Sequence, residues 1–143
     1  DGYTSGGNAP GPRASQIDKF PFASDTNATG VGHLSENVRA ASGQSSDTNG
    51  YSSGGTNPAV DVSTIQKFSF SNQFVSFISG ELSAIRTSST GVSSTTDGYS
   101  VGGSSGGYVN IIERFPFSTD NSLTDVGDLF TAIQDGPSVG QQV

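Results

Sequence analysis

The chain contains no cysteine, no methionine and no tryptophan. Without cysteine there is neither a disulfide nor a thiolate metal site, so the fold must hold itself together by packing. Without an initiator methionine, Asp1 is not expected to be a raw translation start; the chain is expected to be processed or part of something longer. Charge is also scarce. Only 13% of the 143 residues are charged, thirteen acidic against six basic, for a formal net charge of −7. A phosphate backbone asks for a Lys/Arg-rich surface, which is missing, so nucleic acid is not an expected partner. No apolar run approaches the roughly 20 residues of a membrane-crossing helix, and no signal-peptide pattern is visible. Membrane insertion is not expected.

Hydrophobic residues make up only 31% of the chain. Such a low value goes with disorder when charge is high and aromatics are few. Here nine phenylalanines and four tyrosines recur at fixed places among 20 glycines. Ile17-Asp18-Lys19-Phe20-Pro21-Phe22 returns as Ile65-Gln66-Lys67-Phe68-Ser69-Phe70 and as Ile112-Glu113-Arg114-Phe115-Pro116-Phe117. Each copy follows a tyrosine and a glycine pair: Tyr3 with Gly6-Gly7, Tyr51 with Gly54-Gly55, Tyr99 with Gly102-Gly103. Gly2, Gly50 and Gly98 are 48 residues apart, a period that belongs to solenoids, propellers and arrays. The chain therefore divides into repeats 2–49, 50–97 and 98–143 of one domain, long enough to bury a core.

Short β-prone segments stopped by Gly, Ser, Asn and Asp turns indicate an all-β fold. Alternation places Phe20 and Phe22 on one face of their strand and Ile17 on the other. A strand apolar on both faces is covered on both sides, as when sheets stack around an axis. Pro21 suggests an edge or a strand end. Small residues over 38–46 let backbones approach closely near a crowded centre. Asn49-Gly50 suits a hairpin with positive φ, joining that strand to the next tyrosine strand. In the second repeat Phe74-Val75-Ser76-Phe77-Ile78 reads as a fourth strand, and Leu82, Ile85 and Arg86 match Leu34, Val38 and Arg39. Ile133 matches Val38, with Gln134 where the other repeats have Arg. The predicted strands are residues 2–6, 16–22, 31–34, 38–46, 50–54, 63–70, 74–79, 85–94, 98–102, 109–117 and 134–142.

These residues resemble a kelch-type β-propeller repeat. That family has a Gly-Gly pair ending the second strand of a four-stranded blade, an aromatic strand after a variable loop, and a leucine stretch leading to an Arg-started strand. Tyr51, Gly54-Gly55, Ile65 to Phe70, Leu82 and Arg86 fall in that order, at close to the kelch period of about 50. The tryptophan usual before the leucine is missing. The wording of the repeats, such as Gly-Tyr-x-Ser-Gly-Gly, Ile-Asp-Lys-Phe-Pro-Phe and Val-Gly-Asp-Leu, is similar to marine bacteriophage structural and tail-fibre-like proteins. The resemblance spans the whole chain. It implies a non-enzymatic structural or binding protein of a virion or extracellular setting, touching a host surface or glycan. The alternatives are a purely structural subunit of a larger assembly and a propeller enzyme related to oxidases or glycosidases.

Three blades are too few for a ring, since propellers use about four to eight. The first repeat lacks the small-residue strand before its tyrosine, and residues 134–143 match that strand. Strand exchange is therefore expected, with residues 134–143 completing an N-terminal blade. Two copies joined head to tail would make six blades with no open edge. A longer parent chain and an unclosed filament are the competing readings. The partners expected are a second copy, other virion subunits or a cell-surface glycan.

The variable loops offer the candidate ligand contacts: Asn8 and Arg13, Asn57 and Asp61, Ser104 and Tyr108. Loops that vary on a constant scaffold are where repeat folds host binding. Gly6, Gly7, Gly54, Gly55, Gly102 and Gly103 read as turn glycines, and Phe20, Phe22, Phe68, Phe70, Phe115 and Phe117 as packing positions. His33 is the only histidine. Glu81 and Asp128 hold its place in the other repeats, so a surface role is favoured over catalysis. Asp25-Thr26-Asn27 and Asp120-Asn121-Ser122, with Asp125 and Asp128, resemble oxygen-ligand loops, but EF-hand spacing is missing and structural turns are favoured. Residues 45–50 read as an Asx turn. Lys19, Lys67 and Arg114 share one position, for surface charge or pairs between blades. No catalytic residue, cofactor or metal is assigned.

Overall fold

In the computed structural model, which describes residues 1–10, 14–121 and 123–136, the chain is all-β, with no helix among those residues. Its strands form three antiparallel sheets. Sheet 1 holds β1 (Gly2–Ser5), β2 (Gln16–Phe20) and β3 (Thr29–His33). Sheet 2 holds β4 (Ser42–Ser45), β5 (Asn49–Ser53), β6 (Thr64–Ser69) and β7 (Val75–Glu81). Sheet 3 holds β8 (Thr90–Ser93), β9 (Asp97–Val101), β10 (Val109–Pro116) and β11 (Thr124–Ile133). Within each sheet, strands adjacent in sequence are adjacent in space.

The 48-residue glycine period has a steric cause. Gly2, Gly50 and Gly98 sit opposite Phe20, Phe68 and Phe115 in the strand register. Each phenylalanine ring lies over its glycine, where any Cβ would collide with it. This corrects the hairpin expectation at Asn49-Gly50: Gly50 is a flat strand residue absent from the positive-φ set, and Asn49 is already in β5. The turn is closed one step earlier. Ser46 N–H donates to Asn49 O at 2.9 Å, and Ser46 Oγ accepts from Asn49 N at 3.1 Å. A serine hydroxyl, not an Asx side chain, thus holds residues 45–50, and Ser94 does the same with Asp97.

The Gly-Gly pairs do need positive φ, at 69° and 110°, 64° and 97°, and 62° and 99°. Side chains avoid this region. The pairs turn two successive N–H groups onto different segments. Gly6, Gly54 and Gly102 donate across their own sheet to Gln16, Thr64 and Ile111. Gly7, Gly55 and Gly103 donate to Val38, Arg86 and Ile133, each at 2.7 Å. The repeat alignment is corrected accordingly. Arg86 occupies the place of Val38 and Ile133, not that of Arg39, which is equivalent to Thr87 and Gln134.

Two further expectations shift. The small-residue strands are shorter than 38–46 and 85–94, because Ala40 and Ser88 adopt φ of 54° and 55° and break the extended chain before β4 and β8. β11 was not among the predicted strands. It is exposed along nearly its whole length and lacks the alternation that marks a half-buried strand. Of the expected strand 134–142, residues 134–136 are not in a strand, and 137–143 lie outside the described residues.

Sheet 2 is covered on both faces, as its sequence pattern requires. Phe68 joins Ile17, Leu34 and Val38 toward sheet 1, while Ile65 and Ile78 join Tyr51 and Phe115 toward sheet 3. Each junction repeats one aromatic arrangement. Tyr3 stacks on Phe70 at 4.5 Å, and Tyr51 stacks on Phe117 at 5.0 Å. β4 and β8 run side by side, with Gly91 set against the Gly43 backbone so closely that no Cβ fits. Ser45 N donates to Ser93 Oγ at 2.9 Å across the same seam.

Candidate binding cleft and loop rim

Among the described residues, one edge of β1 has no partner strand. Along it runs a cleft of about 780 Å³ lined by residues of β1 and β4, with Gly91, Val92 and Ser93 of β8 on the far side. In sheets 2 and 3 the corresponding edges of β5 and β9 are filled by β4 and β8. Among the described residues the cleft is therefore a strand-shaped gap in sheet 1. Its walls offer small hydroxyls and backbone: Thr4, Ser5, Ser45 and Ser93.

The polar groups behind the cleft are occupied. Gln44 Nε2 donates to Ser42 Oγ at 3.1 Å and to Tyr99 O at 2.9 Å, while Ser53 Oγ donates to Gln44 Oε1 at 2.7 Å. Asp1, the one acidic lining residue, pairs with Lys19 at 3.0 Å. This arrangement presents hydrogen-bonding groups to an extended chain or a hydroxylated ligand. It pairs no nucleophile with a base.

Outside the cleft, His33 Nδ1 meets Ser15 Oγ at 3.2 Å on an exposed edge. Among the described residues no group of three or more His, Cys, Asp or Glu could hold a metal ion. Asp120, singled out within a candidate cation loop, has both carboxylate oxygens engaged. Lys67 Nζ reaches Oδ2 at 2.6 Å and Tyr51 OH donates to Oδ1 at 3.2 Å. Burial first, and then the Asp120 carboxylate, push the Tyr51 phenol well above its ordinary range.

The equivalent cations differ in their partners. Lys19 pairs within sheet 1 to Asp1, Lys67 pairs between sheets 2 and 3, and Arg114 lies only within 3.8 Å of Asp97.

The candidate loop residues fall between the tyrosine strand and the next strand of each sheet: Asn8 in β1–β2, Asn57 and Asp61 in β5–β6, Ser104 and Tyr108 in β9–β10. Arg13 lies outside the described residues. The segments passing from one sheet to the next tie these loops into one rim. Residues 38–39 accept from Gly7 and bridge Arg39 to Thr56; residues 86–87 accept from Gly55 and bridge Thr87 to Ser104.

Within the second loop, Asn57 Oδ1 accepts from Ala59 N and Val60 N at 3.0 and 2.9 Å, and Thr56 Oγ1 donates to Asp61 Oδ1 at 2.8 Å. These two side chains shape their own loop. Asn8 and Tyr108 face solvent, with Tyr108 67% exposed. The cleft itself was missed as a site. Its signal was the absence of a small-residue strand before Tyr3.

No protein-family model matches the chain, and no match is found among curated proteins. Among the described residues no helix is long and apolar enough to cross a membrane.

Proposed function

We propose that this chain is a non-enzymatic, kelch-like β-propeller unit that presents variable loops to a host surface or glycan, in a virion (tail-fibre-like) or extracellular setting. The observation that carries the reading is the rim. Three loops of unlike sequence follow Gly-Gly pairs whose backbone donations repeat in all three sheets, and crossover segments bridge the second and third loops. Rigid backing lowers the ordering cost of binding, and Tyr108 offers an exposed ring in a loop closed by the Ser104–Tyr108 bridge. A glycan array read with the intact chain and with Tyr108→Ala tests this. Binding to a defined sugar class, weakened roughly tenfold or more in the variant as for an aromatic hot spot, supports it. Binding that survives Tyr108→Ala unchanged moves the contact away from this loop, and no binding at all removes the receptor reading.

A second reading, a purely structural subunit of a larger assembly, is favoured by the engagement of Asn57 and Asp61 within their own loop. It expects no sugar binding and burial of the rim against neighbouring subunits.

A further inference from the structure

The two internal junctions define what a sheet-to-sheet contact in this chain requires. The incoming sheet brings an edge-to-face phenylalanine pair, Phe68–Phe70 at 5.8 Å or Phe115–Phe117 at 5.6 Å. The receiving sheet brings a tyrosine that stacks on the second ring. At the junction of sheets 2 and 3 an aspartate three residues beyond that ring, Asp120, takes the tyrosine hydroxyl and the neighbouring Lys67. At the junction of sheets 1 and 2 the same position is Gln73, in the same left-handed conformation (φ 55° against 52°), and Lys19 turns to Asp1 instead.

Each end of the unit carries one half of this junction. Sheet 1 presents Phe20 and Phe22 in the same edge-to-face pair, at 5.7 Å. They are 37% and 75% exposed, whereas Phe68 and Phe115 are buried. Three residues beyond Phe22 stands Asp25, exposed, at the same sequence step as Asp120, without the left-handed backbone of Gln73 and Asp120. Sheet 3 presents Tyr99 in the place of Tyr51, and Arg114 in the place of Lys67. Ile112 there is only partly buried, where Ile17 and Ile65 are sealed.

We infer that a second copy of this chain docks head to tail on these faces, its Phe20, Phe22 and Asp25 against Tyr99 and Arg114, and that two copies close on each other through two such junctions. The occupant is fixed by charge. The outer faces together hold tyrosine, cation and aspartate, the set of the junction between sheets 2 and 3, and the neutral Gln73 variant is not what they hold. An isologous pair of such junctions leaves neither aromatic face in water. The inference goes beyond the proposed function and holds whether or not the rim binds a glycan.

The test is sedimentation of the intact chain together with charge-swapped variants. Wild type is expected at twice its 14.6 kDa chain mass. Asp25→Arg alone sets two arginines against each other, and Arg114→Asp alone sets two aspartates. Each is expected to weaken self-association by more than roughly a hundredfold, as juxtaposed like charges do. Mixing the two variants restores an opposite pair at both junctions, so the doubled mass is expected to return in the mixture. Unchanged circular dichroism separates lost docking from lost folding. A wild-type monomer, or assembly untouched by both single swaps, overturns the proposal. A ladder of larger species overturns closure by two copies.

Discussion

Arg86 Nη2 lies 3.0 Å from Glu113 Oε2, with both side chains sealed from solvent at 1% and 0% exposure. The pair spans the junction of sheets 2 and 3. Arg86 Nη1 also donates to Gly102 O at 3.0 Å, and Ser83 N donates to Glu113 Oε1 at 2.8 Å, while Arg86 Nε has no partner among the described residues. At the junction of sheets 1 and 2 the same two places hold Val38 and Gln66, both buried and neutral. One architecture thus runs on two chemistries.

Breaking the pair from one side leaves an uncompensated buried charge, which costs about 3–5 kcal/mol. Arg86→Val should therefore lower the urea midpoint sharply. The double variant Arg86→Val/Glu113→Gln rebuilds the neutral Val38–Gln66 pair and should recover most of the loss, because buried ion pairs gain little over neutral packing. A double variant as unstable as Arg86→Val would show that the ion pair itself, not charge neutrality, holds this junction.

Much of the architecture was legible in the chain because it is written in residues with few alternatives. Glycine opposite each phenylalanine, and the Gly-Gly pairs, are steric demands that no other residue meets. Arg86 was misplaced because Ile85-Arg86 mimics Val38-Arg39. The constant four-residue step from leucine, as in Leu34–Val38, Leu82–Arg86 and Leu129–Ile133, was the signal that resolves it. β11 escaped because an exposed strand carries no burial pattern. The missing strand beside β1 was legible from the repeat alignment, but it was read as a place for residues 134–143 and not as a binding cleft.

Gly43 and Gly91 make a matched test of the seam between β4 and β8. A Cβ on Gly91 would strike the Gly43 backbone, whereas one on Gly43 meets nothing within 4 Å. Gly91→Ala should cost on the order of 1–3 kcal/mol through overpacking. Gly43→Ala should be neutral or slightly stabilising, because alanine loses less chain entropy. Equal effects of the two in thermal unfolding would mean that the seam is looser than this.

Phe68 and Phe22 should respond differently to truncation. Phe68 is 3% exposed within the first core cluster, and Phe68→Ala should cost about 3–5 kcal/mol. Phe22 is 75% exposed, so Phe22→Ala should change the unfolding free energy of the single chain by less than about 1 kcal/mol. Denaturation at low protein concentration checks this. A large loss for Phe22→Ala there would place its ring within the chain's own core.

Tyr51 links this packing to pH. Burial, together with the neighbouring Asp120 carboxylate, holds its phenol above the ordinary value of 10.0. Above pH 10 the unfolded chain releases this proton while the folded chain retains it. The unfolded state then binds fewer protons, and stability falls as pH rises. Below pH 10 both states are protonated and this contribution to stability is fully present. In Tyr51→Phe the ring keeps its stack on Phe117 at 5.0 Å but has no proton to lose. Its stability should therefore decline less steeply above pH 10 than that of the wild type. Any phenolate absorbance of the folded protein at pH 10 should be the same in both, because Tyr51 contributes none of it. Lower phenolate absorbance in Tyr51→Phe at that pH would show that Tyr51 ionises like a solvent-exposed tyrosine, and that neither burial nor Asp120 protects its proton.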